Sequence, residues 1–146
     1  MFLDGYVDAL CSDHAPHSLK EKENFKTCPS GIPWLGTWPW IIFRLVKYNL
    51  ISIQGFFYYM SYSPSIILNL KNYGLIEKGY RGNIIAIDKD KVWRFTNTFS
   101  KAPYYGHFLE ENYGFVKSAF IGGKLVFDEN GLIEKTDTIN PFNNFS

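Results

Sequence analysis

Asp13, His14, Ala15, Pro16 and His17 form the densest chemical cluster in the sequence, a carboxylate and two imidazoles within one short string. The carboxylate could ligate a metal ion, move a proton, or do both, and an imidazole four residues later could bind an anionic group across the mouth of a site. Plainer uses exist for both: Asp13 suits a turn or cap, and His17 suits a surface loop. The apolar run from Tyr6 to Cys11 precedes them and stops abruptly at Ser12, Asp13 and His14. That pattern predicts a buried parallel strand. A carboxylate at the C-terminal end of such a strand is held rigidly while the next loop opens to solvent, which is where parallel α/β barrels place their active sites.

The elements after this cluster read as a helical stretch and then a β-rich one. Ser18 to Thr27 is a charged loop with Lys20, Glu21, Lys22, Glu23 and Lys26, and it leads into the turn-rich Pro29, Ser30, Gly31, Ile32 and Pro33. Loops of this kind lie at the surface and often carry function. From Trp38 to about Asn49, Ile41, Ile42, Leu45 and Val46 recur near helical spacing, with Arg44 and Lys47 turned outward. Ser52 is placed to cap a second helix through Tyr59, and Ser63-Pro64 to open a third that ends near Tyr73, with Gly74 as its stop. After Leu75 the texture changes to short β-prone runs: Ile84 to Asp88, Lys91 to Phe95, Phe115 to Ile121 and Lys124 to Phe127. Gly122-Gly123 lies between the last two, a hairpin signal. The expected division is therefore 1–74, 75–135, and an Asn-rich tail at 136–146. His107, in the β-rich part, reads as a surface or packing residue.

Composition narrows the function classes. The 146 residues are 46% hydrophobic and 18% aromatic, enough for one ordinary core, or for parts of two domains. Lys and Arg number 15 against 14 acidic residues, for a net charge of +1, with no basic stripe. Nucleic acid and anionic membrane surfaces are thus unsupported as partners. Tyr48 to Leu70 carries no charge, yet Asn49, Gln54, Gly55, Pro64 and several serines break it too often for a spanning helix. The N-terminus has neither a basic n-region nor a long apolar run, so no signal peptide is expected. Cys11 and Cys28 share no CxxC spacing, which fits a reduced, cytoplasmic chain. With three histidines and two cysteines, a metal site built from this chain alone would lean on carboxylates.

The string Gly5-Tyr6-Val7-Asp8-Ala9-Leu10-Cys11-Ser12-Asp13-His14-Ala15-Pro16-His17, then Lys22, Phe25 and Pro29-Ser30-Gly31-Ile32-Pro33, resembles the last barrel strand and following loop of dihydroorotases, in the amidohydrolase superfamily. The resemblance continues through Ser61-Tyr62-Ser63-Pro64, Gly74 to Gly79, Ile84 to Asp88, Pro103 to Gly106 and Gly122 to Phe127, covering residues from about 3 to 131. It implies an α/β plus β architecture: the C-terminal fragment of a metal-dependent TIM barrel, with its last strand and helices, then part of a small β-sandwich domain. It implies zinc-dependent, reversible hydrolysis of dihydroorotate to N-carbamoyl-L-aspartate in pyrimidine biosynthesis. Asp13 matches the family's catalytic, metal-binding aspartate. His17 matches a residue that binds the substrate carboxylate, and Ser30 and Gly31 match the loop whose backbone holds the ring. His14 matches no such role, and a structural hydrogen bond is expected for it.

Departures from the family pattern sharpen the expectation. The early His-x-His pair, the mid-barrel lysine that becomes carboxylated, and two further histidines are not found in this sequence, so most zinc ligands are missing from it. Gly82-Asn83 stands where Ala-Asp is typical, and Tyr62 precedes Ser63-Pro64 where the family has Asn before Pro; both affect turns more than chemistry. Trp34, Trp38 and Trp40 add bulk that packing explains. The reading that follows is an incomplete enzyme, inactive alone, with an N-terminal dihydroorotase fragment as its expected partner. Two alternatives stay open: a non-catalytic scaffold or partner subunit, for instance of aspartate transcarbamoylase, and another cyclic amidase such as an allantoinase or hydantoinase.

Overall fold

A computed structural model describes residues 4–34, 38–94 and 111–133. The sequence features at Phe95, Pro103 to Gly106, His107 and the tail at 136–146 lie outside the described residues, as does the side chain of Trp38.

Three helical stretches precede the sheet. The first, α1 (Leu19–Lys22), is a single turn held by a capping box: the Ser18 hydroxyl accepts from the Glu21 N–H while the Glu21 carboxylate accepts from the Ser18 N–H. The amphipathic helix α2 (Trp38–Lys47) forms where its apolar spacing predicts. Ser52 caps α3 (Ile53–Phe57), as expected, by accepting from the Gly55 N–H at 3.0 Å. The chain then does not restart at Ser63. It runs through a π-helical turn (Tyr58–Tyr62) directly into α4 (Ser63–Ile67). Ser63 sits inside this bent helix, and its hydroxyl donates to the Asp8 carbonyl at 2.5 Å rather than capping a new helix. The helix is also shorter than Tyr73 would make it. Asn69, at φ 51°, takes the left-handed position just past its end, a role usually filled by glycine and sometimes by asparagine. Gly74 instead permits close approach, because a Cβ there would strike the Ser65 hydroxyl.

The β-rich part forms one antiparallel sheet in the order β1 (Ile84–Trp93), β2 (Asn112–Ile121), β3 (Lys124–Asp128) and β4 (Gly131–Leu132). The runs Ile84 to Asp88 and Lys91 onward merge into one irregular strand. It pairs Ile84 with Phe120 and Trp93 with Asn112, with register shifts on either side of Ile87 and Asp88. Gly122 and Gly123 make the β2–β3 hairpin with φ of 57° and 79°, the two positive values a tight two-residue turn of this hand requires.

Helices and sheet share one core. Trp40 and Phe43 of α2 and Phe56 of α3 are buried together, with Ile87, Trp93, Tyr113 and Val116 of the sheet packed against them. Phe43, 2% exposed, meets Phe56 edge-on at 5.1 Å between ring centroids, and Trp40 meets Trp93 at 6.1 Å. Gly114 lets β2 come close, since a Cβ there would stand 3.0 Å from the Phe43 ring. Trp40 is thus a core residue, as packing alone would have it.

The expected strand at Tyr6 to Cys11 is not a strand among the described residues. The segment forms no β pair with the described residues, and Tyr6 is 76% exposed. A parallel strand exists only with neighbours to exchange hydrogen bonds, and the described residues offer none. The segment hangs instead from the π turn, through the Leu10 N–H to the Tyr59 carbonyl at 3.2 Å and through Ser63 to Asp8.

Candidate active-site loop

The residues singled out for chemistry fall on two facing segments, 13–18 and 29–34. The Ala15 N–H donates to the Ile32 carbonyl at 3.1 Å, and the Trp34 N–H donates to His14 Nδ1 at 3.0 Å. His14 is therefore a structural acceptor, with the second ring nitrogen carrying its proton in the neutral form. Between these ties Gly31 sits at φ 111°, so close to Ala15 that an added Cβ would lie 2.5 Å from the Ala15 Cβ. Only glycine meets both the backbone angle and the gap.

His17 joins Ser30 and Gly31 in this arrangement. Its Nε2 lies 3.0 Å from the Ser30 carbonyl, which can only accept, so Nε2 carries the hydrogen. Its Nδ1 is 3.8 Å from a Glu21 carboxylate oxygen. The Glu21 carboxyl is held below the usual carboxylate value, first by hydrogen bonding from the Ser18 side chain, then by the Ser18 backbone, with the charge of His17 adding to it.

Asp13 stands apart from that ring of contacts. It is exposed, holds a left-handed φ of 45° that non-glycine residues rarely adopt, and has no hydrogen-bond or ion-pair partner among the described residues. Such backbone strain gathers where a side chain must be presented in a particular direction. The fold thus brings His17, Ser30 and Gly31 together and leaves the Asp13 carboxylate open to solvent.

One participant in the loop went unassigned in the sequence. Lys22 donates to the Pro29 carbonyl at 2.5 Å and to the Gly31 carbonyl at 2.7 Å. Neither periodicity nor composition marks it, because a lysine in a charged loop reads as solvated; it stood in the resemblance to dihydroorotases without a role.

No protein-family model matches the chain. Individual relatives do. A dihydroorotase of Sulfolobus acidocaldarius is 40% identical over 134 residues, taking in 88% of this chain and 33% of that protein. A dihydroorotase of Elusimicrobium minutum is 35% identical over 141 residues, 92% of this chain and 32% of its own length. The chain is similar to the C-terminal third of the dihydroorotases. It spans about a third of the length of these curated relatives. Solved structures agree on fold: an L-hydantoinase (dihydropyrimidinase) from Arthrobacter aurescens superposes with a TM-score of 0.79 at 18% identity, over 92% of this chain and 32% of that one. A dihydropyrimidinase from Brevibacillus agri gives 0.78 at 20%, over 90% and 31%. The architecture is thus a fragment of the amidohydrolase fold.

The similarity to dihydroorotases makes a metal site the question to put to these residues. Among the described residues no three His, Cys, Asp or Glu side chains stand together to hold an ion. These residues do not fit a metal centre by themselves; Asp13 offers one carboxylate and no set of companion ligands among the described residues. No helix among the described residues is long and apolar enough to cross a membrane.

Proposed function

We propose that this chain is the catalytic-loop portion of a dihydroorotase, taking part in the reversible hydrolysis of the cyclic amide of dihydroorotate to N-carbamoyl-L-aspartate. The observation that carries the reading is 40% identity to a dihydroorotase over 134 residues, 88% of this chain. Ring opening needs water to lose a proton as its oxygen bonds the carbonyl carbon, and needs the ring nitrogen to gain one as the C–N bond breaks. An open carboxylate can make both transfers, and Asp13 is assigned that role. His17, Ser30 and Gly31 are assigned to the substrate: the imidazole to its carboxylate, the loop backbone to its ring. For His17 this means releasing its Glu21 side, so that Nδ1 meets the ligand while Nε2 stays on Ser30.

In this reading zinc would be held mainly by residues outside this sequence, with Asp13 as the one ligand contributed here, and would supply Lewis acidity for the carbonyl and for water. The segment from Tyr6 to Cys11 becomes the last strand of the barrel once neighbours lie on its edges, residues 1–74 belong to that barrel, and 75–135 to a small β domain. Exposed apolar side chains support a missing partner. Phe57, Tyr58, Tyr62, Ile66 and Ile67 crowd the outer side of the bent helix, and Tyr6 projects beside Asp8, which that helix tethers. An N-terminal dihydroorotase fragment is the partner proposed for them, in a reducing, cytoplasmic setting that suits the free Cys11 and Cys28.

The test is co-expression with the reading frame directly upstream of this gene, followed by a dihydroorotate turnover assay of each chain and of the pair. Turnover by the pair and not by this chain alone is expected. Robust turnover by this chain alone overturns the division of ligands, and a pair that opens hydantoins but not dihydroorotate replaces the substrate with that of another cyclic amidase.

A further inference from the structure

We infer that Lys22 is a positioning residue that sets the direction of the Ser30–Gly31 backbone, deepening and resting on the reading of that backbone as a substrate-holding element. Three consecutive carbonyls are gripped by two side chains of one short segment: Pro29 and Gly31 by the Lys22 ammonium at 2.5 and 2.7 Å, and Ser30, between them, by His17 Nε2 at 3.0 Å. A cation bonded to two carbonyls is a charge-assisted clamp, stronger than the neutral bonds around it. Lys22 is part-buried, so leaving its ammonium unpaired would be costly, and the clamp is correspondingly firm.

Peptide planarity turns this grip into a statement about donors. In a trans peptide the N–H points opposite to the carbonyl of the preceding residue. With the Pro29 carbonyl drawn to Lys22, the Ser30 N–H faces away from Lys22; with the Ser30 carbonyl drawn to His17, the Gly31 N–H faces away from His17. Neither N–H finds an acceptor among the described residues. Alternate carbonyls pulled by two cationic or N–H-bearing side chains thus leave two amide donors fixed and free for an oxygen of a ligand. Lys22 touches no substrate in this arrangement; it acts through the loop. The capping box at Ser18 and Glu21 fixes the single turn from which both His17 and Lys22 reach out.

The test compares the full chain with Lys22→Met, which keeps the length of the stem and removes the charge, and Lys22→Arg, which keeps the charge. Amide hydrogen exchange at Ala15 and Trp34 reports the loop, and exchange at Ala119 and Leu125 reports the sheet. Exchange at Ala15 and Trp34 is expected to quicken about tenfold or more in Lys22→Met, the size of one lost charged hydrogen bond, with the sheet unchanged and Lys22→Arg restoring most of the protection. Unchanged loop exchange overturns the clamp, and equal quickening in the sheet shows a fold-wide role that overturns positioning. In the co-expressed pair, Lys22→Met should raise KM for dihydroorotate about tenfold with kcat within about twofold. A change confined to kcat, or none, contradicts the positioning role. If the unsubstituted pair has no turnover, the dihydroorotase reading fails while the exchange data still decide the clamp.

Discussion

The sheet with its packed helices and the loop carrying Asp13 are held together by different means. In the first, strands exchange backbone hydrogen bonds, and Trp40, Phe43 and Phe56 close a core against β1 and β2. In the second, residues 4–34 contribute almost no buried apolar side chains, and the ties run between side chains and carbonyls: Lys22 to Pro29 and Gly31, His17 to Ser30, Trp34 to His14. Hydrophobic burial gives stability without direction, whereas directional bonds fix where a loop points while adding little to the global free energy. The chemistry-bearing residues therefore sit on the part that can open locally without unfolding the rest.

Breaking the first region should have the largest effect. Phe43→Ala empties a nearly closed site, so chemical denaturation should show a loss of about 3–5 kcal/mol, with the loop lost along with the sheet. Breaking the second should be smaller and local. Gly31→Ala forces a Cβ onto Ala15 at a positive φ and should cost roughly 2 kcal/mol, read as faster amide exchange at Ala15 with the β2–β3 amides unaffected. On the exposed helix side, Ile67→Lys should change the stability of this chain by no more than about 0.5 kcal/mol while weakening its association with the upstream chain, measured by co-purification.

The smallest effect expected is a pH dependence confined to α1. Glu21 has a folded pKa below its ordinary value, so its cap is fully in place above that ordinary value and is lost as pH falls through the depressed one. The Ser18 amide resonance should follow this acidic transition, and Glu21→Gln should remove it. A transition that persists in Glu21→Gln would contradict this assignment.

How much of this was legible in the sequence follows from the same contrast. The helix at Trp38, the Ser52 cap and the Gly122-Gly123 hairpin depend on local chemistry and formed where it pointed. Tyr6 to Cys11 and Ser63 depend on distant partners. The first has the composition of a strand but no neighbouring edge among the described residues, and the second has the chemistry of a cap but spends its hydroxyl on Asp8. In the loop, the string from Asp13 to His17 and the pair Ser30-Gly31 stood out by residue type. The contact between His17 and Ser30, and the part played by Lys22, arise from how the loop folds back on itself, which no periodicity encodes.

The central proposal is that Asp13 carries the proton in a dihydroorotase formed by this chain with the proposed N-terminal fragment. Asp13→Asn keeps the size and the turn-forming character of the residue while removing its basicity. In the co-expressed pair, the account predicts that dihydroorotate turnover falls by about a hundredfold or more with association of the two chains intact. Turnover within about twofold of the unsubstituted pair would contradict it.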